Sequence, residues 1–92
     1  PFGSYQVSPE QAVLNGVRFL KEAGCDCVKL EGGKEVCAVV CALVQAGVPV
    51  MGHLGLTPQT AGQLGGFKVQ GRDMAAARKL LNDARALESA GA

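Results

Sequence analysis

Two short apolar segments alternate along this chain with three longer segments of helical periodicity, and this alternation limits the folds that are available. The apolar segments cover residues 26–31 and 48–52. Strands that alternate with helices are typical of a parallel sheet, in which right-handed crossovers place the helices outside the strands. The sequence therefore predicts an α/β fold in the order helix, strand, helix, strand, helix, with both strands parallel.

The helical segments carry recognisable start and stop signals. Ser8 is a good N-cap, Pro9 suits the first helical position, and Gly24 supplies a stop. The second helix is predicted over residues 34–46 and the third over residues 74–90. Two parallel strands cannot cover three helices, because parallel sheets are buried on both faces and need more neighbours. We therefore expect residues 1–92 to be part of a larger domain that is incomplete at both ends.

The first predicted strand ends in VKLEGG, residues 28–33, which is a suitable place for a ligand. Lys29 and Glu31 are two residues apart, so in a strand their side chains share one face. The glycines that follow let the backbone turn and leave room for a ligand near the main chain. Ligands of α/β proteins bind beyond the carboxyl ends of parallel strands. We predict a binding site there, with a surface ion pair as the alternative.

His53 follows the second predicted strand, with Gly52 and Gly55 on either side of it. Both strand ends thus carry polar residues that point to the same rim, and no G-x-G-x-x-G phosphate loop is present. These features favour a (β/α)8 TIM barrel over a doubly wound sheet, although periodicity alone does not decide between the two. A histidine in this position can also be an ordinary hydrogen-bonded loop residue.

Charge and hydropathy exclude several classes of partner. The net charge is +1 and no Lys/Arg cluster is present, so we expect neither nucleic-acid binding nor attachment to an anionic membrane. The longest apolar run, residues 36–44, is too short to span a bilayer, and no signal-peptide pattern is visible. A cytoplasmic location is the expectation, or a mitochondrial one if the source is eukaryotic.

Four cysteines raise the question of a metal site or a disulfide, but their spacing favours neither. Cys25 and Cys27 stand on either side of Asp26 at the start of the first predicted strand, whereas Cys37 and Cys41 lie one turn apart on the second helix. This is not the spacing of a zinc ribbon or zinc finger. We expect four small buried hydrophobic side chains in a reducing compartment, with a redox or zinc role as the less favoured alternative.

Four segments in order resemble the signature blocks of the ketopantoate hydroxymethyltransferase family, also named 3-methyl-2-oxobutanoate hydroxymethyltransferase. They are VKLEGG at 28–33, VPVMGHLGLTPQ at 48–59, GGFKVQGR at 65–72 and PFGSY at 1–5. The resemblance implies a single (β/α)8 barrel catalytic domain that acts in pantothenate synthesis. It also implies Mg²⁺ as the cofactor and a homo-oligomer, a decamer in this family. The expected reaction moves a one-carbon unit from 5,10-methylenetetrahydrofolate to 3-methyl-2-oxobutanoate and gives 2-dehydropantoate.

The resemblance also implies roles for individual residues. Lys29 matches the lysine that contacts the keto-acid carboxylate, Glu31 matches an acidic residue of the magnesium site, and His53 matches a histidine of the same pocket. Two further metal-binding aspartates are expected upstream of the chain, and the catalytic base is expected downstream of Ala92. No catalytic residue is therefore assigned within residues 1–92, and this segment alone is expected to be inactive.

Two alternatives remain open at this point. The first is another Mg²⁺-dependent barrel that acts on α-keto acids, similar to phosphoenolpyruvate mutase or isocitrate lyase. The second is a degenerate barrel that is kept for assembly or binding and does not catalyse a reaction.

Overall fold

The computed structural model describes residues 1–55 and 73–92, and these form the predicted order of elements. The elements are α1 (Pro9–Ala23), β1 (Val28–Glu31), a 3₁₀ turn (Lys34–Val36), α2 (Cys37–Gln45), β2 (Val50–His53) and α3 (Met74–Ser89). In this part of the chain, no helix has the length and apolar character that crossing a bilayer requires.

The two strands pair in parallel, as the alternation of strands and helices predicted. Val28 is the partner of Val50 at one end, and Glu31 is the partner of His53 at the other. Both strands start two residues later than predicted, and β2 extends one residue further, to His53. The reason at β2 is that the N–H of Val48 donates to the carbonyl of Leu43, 2.9 Å away, and so completes the C-terminal cap of α2.

The predicted start and stop signals of the helices are confirmed where they act locally. The hydroxyl of Ser8 accepts a hydrogen bond from the N–H of Gln11 at 3.1 Å, and Gly24 is the C-cap of α1. The first turn of the helix predicted over residues 34–46 is a 3₁₀ turn, and the α-helix itself begins only with α2. Gly47 follows α2 with φ of +91°, as a stop residue should.

The helices cover one face of the two strands and leave the other face open. Leu30 and Val50 point into the core, where Val40 and Leu43 of α2 are almost fully buried. Helix α1 lies very close to α2, since a Cβ built on Gly16 would lie 2.6 Å from a methyl group of Leu43. The opposite strand face, which includes Met51 with 56% exposure, has no helix against it among the described residues.

The prediction of buried cysteines is wrong for two of the four. Cys25 and Cys27 are exposed, whereas Cys37 and Cys41 are half-buried, and all four are free thiols. The physical reason is that β1 begins only at Val28, so the first two cysteines lie in the connection before the strand rather than inside the sheet. Within residues 1–55 and 73–92, no three His, Cys, Asp or Glu side chains converge in a way that could hold a metal ion.

Candidate active site

The open face of the strand pair ends in two polar side chains from neighbouring strands. Glu31 is the last residue of β1 and His53 is the last residue of β2, and the two are register partners. Lys29 lies two residues before Glu31 and is exposed, whereas Leu30 between them is buried. The structure thus places Glu31 and His53 at the carboxyl ends of the two strands, with Lys29 two residues earlier in β1, and His53 lies within the strand rather than after it.

Glu31 and His53 lie close together without forming a hydrogen bond. The distance between Glu31 Oε1 and His53 Nδ1 is 3.7 Å, which is too long for one. Among the described residues, no hydrogen-bond partner reaches the buried atoms Glu31 Oε2 and His53 Nδ1. Buried polar atoms without a partner are uncommon because they cost free energy. Two such atoms on adjacent strand ends are typical of a site that is completed by a ligand.

Glu31 is suited to hold a hard divalent cation. Mg²⁺ prefers oxygen ligands and is bound in proteins by one or two carboxylates together with water and substrate oxygens. The side chain of Glu31 is 17% exposed, so it is largely shielded from water. Its buried Oε2 has no donor among the described residues, and a cation would supply the positive charge that this oxygen lacks. The residues present therefore fit a magnesium site to which this chain contributes one carboxylate.

Lys29 does not form the surface ion pair that was the alternative to a binding role. Glu31 has the imidazole of His53 beside it instead, and no N–O distance within 4.0 Å joins Lys29 to Glu31 in the described part of the chain. The ammonium group of Lys29 is exposed at the same strand face. It is therefore available to an anionic group of a ligand.

Sequence reasoning missed a buried tyrosine behind Glu31. Tyr5 has 5% exposure, and its hydroxyl lies within hydrogen-bond distance of both the N–H and the carbonyl of Glu31, at 3.2 and 3.0 Å. The one available signal is that Tyr5 belongs to the PFGSY block, and nothing local indicates its partner, because the contact spans 26 residues.

Asp83 of α3 was also missed, although it reaches the turn that follows Glu31. It is buried, and its carboxylate accepts hydrogen bonds from the N–H of Lys34 at 3.2 Å and from Nζ of Lys79 at 2.5 Å. The available signal was its spacing, because Asp83 lies one turn before the buried Leu87 and so shares the inner face of α3. An acidic residue on an inner helix face needs a partner, and here the partner is the backbone of the site.

The hydrogen bond with Lys79 changes the titration of both groups. It lowers the pKa of the Asp83 carboxyl below its ordinary value of 3.8, with a further contribution from the backbone N–H of Lys34, while burial opposes the shift. The same bond raises the pKa of Lys79 above its ordinary value of 10.5. A lowered carboxyl pKa stabilises the fold above the ordinary value and loses its contribution as pH falls through the lowered value. The raised lysine pKa acts in the opposite sense, and its contribution is lost only at alkaline pH.

Asp83→Asn should lower the free energy of unfolding by about 1–3 kcal/mol at neutral pH, because it removes a charge-assisted hydrogen bond. The difference from the unmodified protein should begin to shrink as pH falls toward the ordinary carboxyl value of 3.8, where the unfolded carboxyl takes up its proton, and should be lost only below that value, where the native carboxylate is protonated as well. Thermal unfolding of the intact protein across this pH range measures the difference in free energy of unfolding. The control is Glu22→Gln, which breaks the exposed Arg18–Glu22 pair of the same i, i+4 spacing and should change little. Parallel pH profiles for all three proteins would contradict the prediction.

Part of one sequence block, residues 56–59, and the whole of another, residues 65–72, lie outside the described residues. The predicted site residues Lys29, Glu31 and His53 all lie inside the described ranges.

Comparison with known proteins identifies the family. The family model of ketopantoate hydroxymethyltransferase matches residues 1–92. Relatives named 3-methyl-2-oxobutanoate hydroxymethyltransferase include those of Desulfotalea psychrophila, 71% identical over 91 residues, and Heliobacterium modesticaldum, 65% identical over 92 residues. These alignments cover 99% and 100% of this chain, and in both cases 33% of the relative, so the chain spans about a third of the length of the curated relatives it matches. The resemblance seen in the sequence is thereby confirmed, and the chain belongs to the ketopantoate hydroxymethyltransferase family.

Proposed function

We propose that these 92 residues are part of an enzyme that transfers a hydroxymethyl unit from 5,10-methylenetetrahydrofolate to 3-methyl-2-oxobutanoate and forms 2-dehydropantoate. The observation that carries the proposal is the pair of buried, unsatisfied atoms on Glu31 and His53 at the carboxyl ends of two parallel strands. We further propose that the chain belongs to a single (β/α)8 barrel, completed by the segments that its longer relatives carry. The expected form is a cytoplasmic homo-oligomer that uses a small keto acid and a folate as substrates.

The residue types suit this chemistry. When bound, Mg²⁺ would supply a Lewis acid beside the keto group and so make the adjacent C–H bond more acidic. Glu31 would hold this cation directly or through its water molecules. The carbon that loses its proton then attacks the methylene carbon carried by the folate. The new carbon–carbon bond and a hydroxyl oxygen from water replace the two carbon–nitrogen bonds of the methylene group, and tetrahydrofolate leaves with the proton of the keto acid and one proton of the water. The base that removes the proton is expected outside this chain, as the family resemblance implies.

Lys29 and His53 would orient the keto acid. The ammonium group of Lys29 is a compact point charge, and it is not held by Glu31, so it can neutralise the substrate carboxylate. His53 is half-buried with 32% side-chain exposure and would line the same pocket. Met51 lies opposite Lys29 in the register and adds apolar surface to this strand face.

A chimeric enzyme tests the proposal. In this protein, called the complete enzyme below, residues 1–92 replace the corresponding third of the Desulfotalea psychrophila relative. We expect formation of 2-dehydropantoate that requires the keto acid, the folate and Mg²⁺ together. An inactive chimera beside an active relative would favour the degenerate barrel. Mg²⁺-dependent conversion of an α-keto acid without folate would favour the alternative barrel class.

Lys29→Ala should raise the KM for 3-methyl-2-oxobutanoate about ten- to hundredfold and leave the KM for the folate nearly unchanged. A charge-assisted hydrogen bond contributes roughly 1.5–3 kcal/mol, which corresponds to this range. Steady-state kinetics of the complete enzyme, with each substrate varied in turn, provide the measurement. Lys21→Ala, the same change on the outer helix α1, is the control. A keto-acid KM equal to that of the unmodified enzyme would remove Lys29 from the site.

A further inference from the structure

A single tyrosine hydroxyl satisfies both main-chain polar groups of Glu31. Tyr5 donates to the carbonyl of Glu31 at 3.0 Å and accepts from its N–H at 3.2 Å. A phenol hydroxyl has one donor and can also accept, so these two bonds use its capacity fully. The tyrosine is 5% exposed, and water therefore has little access to compete with these bonds.

The direction of the strand pairing explains why Glu31 needs this partner. The N–H of Val28 donates to the carbonyl of Pro49 at 3.0 Å, and the N–H of Gly32 donates to the carbonyl of His53 at 3.1 Å. Alternate residues of a parallel strand bond to opposite sides, so the main-chain groups of Glu31 point away from β2. At that edge the hydroxyl of Tyr5 takes the place of a neighbouring strand.

Tyr5 is itself fixed by the helix behind it. The side-chain amide of Asn15 on α1 donates to the carbonyl of Ser4 at 2.7 Å. The N–H of Ser4 donates to the carbonyl of Pro1 at 3.1 Å, which closes the N-terminal turn. The segment that carries Tyr5 is thus tied to α1, and through Tyr5 the helix is tied to the end of β1.

We infer that Tyr5 is a positioning residue, whose hydroxyl fixes the backbone of Glu31 and thereby the direction in which its carboxylate meets a metal ion. The inference rests on the proposed role of Glu31 in holding Mg²⁺. Carboxylate ligands work within narrow tolerances, and loss of a group that orients a ligand typically weakens metal binding by about ten- to hundredfold. Tyr5 orients the backbone rather than the carboxylate itself, so we expect the lower end of this range.

The test is Tyr5→Phe in the complete enzyme, with the dissociation constant for Mg²⁺ measured by titration calorimetry in the absence of turnover. The substitution keeps the ring and its packing and removes only the hydroxyl. We expect the affinity for Mg²⁺ to fall about tenfold. Ser8→Ala is the matched control, because it removes the N-cap hydrogen bond of α1 and lowers stability without contact to Glu31. Its affinity for Mg²⁺ should be unchanged.

A second variant keeps the inference testable if Tyr5→Phe does not fold. Asn15→Ala removes the hydrogen bond from the Asn15 amide to the carbonyl of Ser4 and so loosens the segment that carries Tyr5. Because this bond touches neither Tyr5 nor Glu31 directly, we expect a smaller loss of affinity for Mg²⁺. Unchanged Mg²⁺ affinity in Tyr5→Phe, or in Asn15→Ala if Tyr5→Phe does not fold, would overturn the inference, and so would an equal loss in Ser8→Ala. If Glu31→Gln leaves Mg²⁺ binding unchanged, the proposed metal role of Glu31 fails, and that result is distinct from a failure of Tyr5 alone.

Discussion

Glu31→Gln in the complete enzyme is expected to weaken Mg²⁺ binding and to lower turnover at fixed Mg²⁺ by about a hundredfold, while the fold is retained. The change removes a negative charge at nearly constant shape, so packing beneath the site is preserved. A neutral amide oxygen is a poorer ligand for a hard cation than a carboxylate oxygen. The loss of one charged contact, roughly 3 kcal/mol, accounts for this factor.

The same substitution should not destabilise the enzyme when Mg²⁺ is absent. Among the described residues nothing donates to the buried Oε2 of Glu31, so the carboxylate is costly to bury in the metal-free state. Removing its charge should leave the melting temperature equal or slightly higher. Residues of functional sites often show this exchange of stability for function.

Mg²⁺ titrations of activity and thermal unfolding without metal provide the two measurements. Glu35→Gln is the control, because it makes the same chemical change four residues further on, where Oε1 of Glu35 accepts from the N–H of Gly33 at 3.0 Å. An amide oxygen can still accept that bond, so both Mg²⁺ dependence and stability should be nearly unchanged. An unaltered Mg²⁺ dependence in Glu31→Gln would remove Glu31 from the metal site.

The features that the sequence predicted correctly are those that depend on neighbouring residues. Ser8 caps α1 because its hydroxyl needs only the N–H three residues later. Lys29 and Glu31 share a face because side chains alternate along a strand, and His53 joins them because parallel strands end at the same edge. In each case the interacting groups either lie within a few residues of each other in the sequence or are brought together by the regular geometry of the sheet.

The features that could not be predicted depend on contacts between distant residues. Tyr5 meets Glu31 across 26 positions, and Asp83 meets Lys34 across 49 positions. Nothing in the local pattern distinguishes Tyr5 from a packing residue, and the spacing that places Asp83 on the inner face of α3 does not indicate which group it meets. The exposure of Cys27 was missed for a similar reason, because where β1 begins is decided by its pairing with β2 rather than by its own composition.

The contact between Asp83 and Gly33 leads to the second large effect. A Cβ built on Gly33 would lie 2.5 Å from the carboxyl carbon of Asp83 and 3.0 Å from its Cβ. Atoms this close must separate, and Asp83 cannot simply turn away, because Lys34 and Lys79 both donate to its carboxylate. The Cβ of Asp83 is also fixed by α3, so the helix itself has to move. The space beside Gly33 is therefore part of how α3 docks against the turn after Glu31.

Gly33→Ala should consequently destabilise the complete enzyme by about 2–4 kcal/mol. Overpacking costs about 1–3 kcal/mol. Displacement of Asp83 also leaves the N–H of Lys34 without its acceptor, which adds about 1–3 kcal/mol. Partial relaxation of the structure reduces the sum of the two costs. Mg²⁺ affinity should fall as well, because the displaced turn begins at Glu31. Thermal or denaturant unfolding and Mg²⁺ titration measure the two effects.

A double-mutant cycle with Asp83→Ala separates this contact from any general cost of replacing a glycine. Asp83→Ala removes the carboxyl group but keeps the Cβ, so most of the close contact disappears and the N–H of Lys34 has already lost its partner. In that background Gly33→Ala should cost only about 1 kcal/mol, which makes the two substitutions less than additive by at least about 1 kcal/mol. If the costs of the two single substitutions add up to that of the double variant within about 0.5 kcal/mol, α3 does not position the turn through this contact. The expected coupling would instead show that Asp83 of α3 positions the turn that follows the strand carrying Glu31.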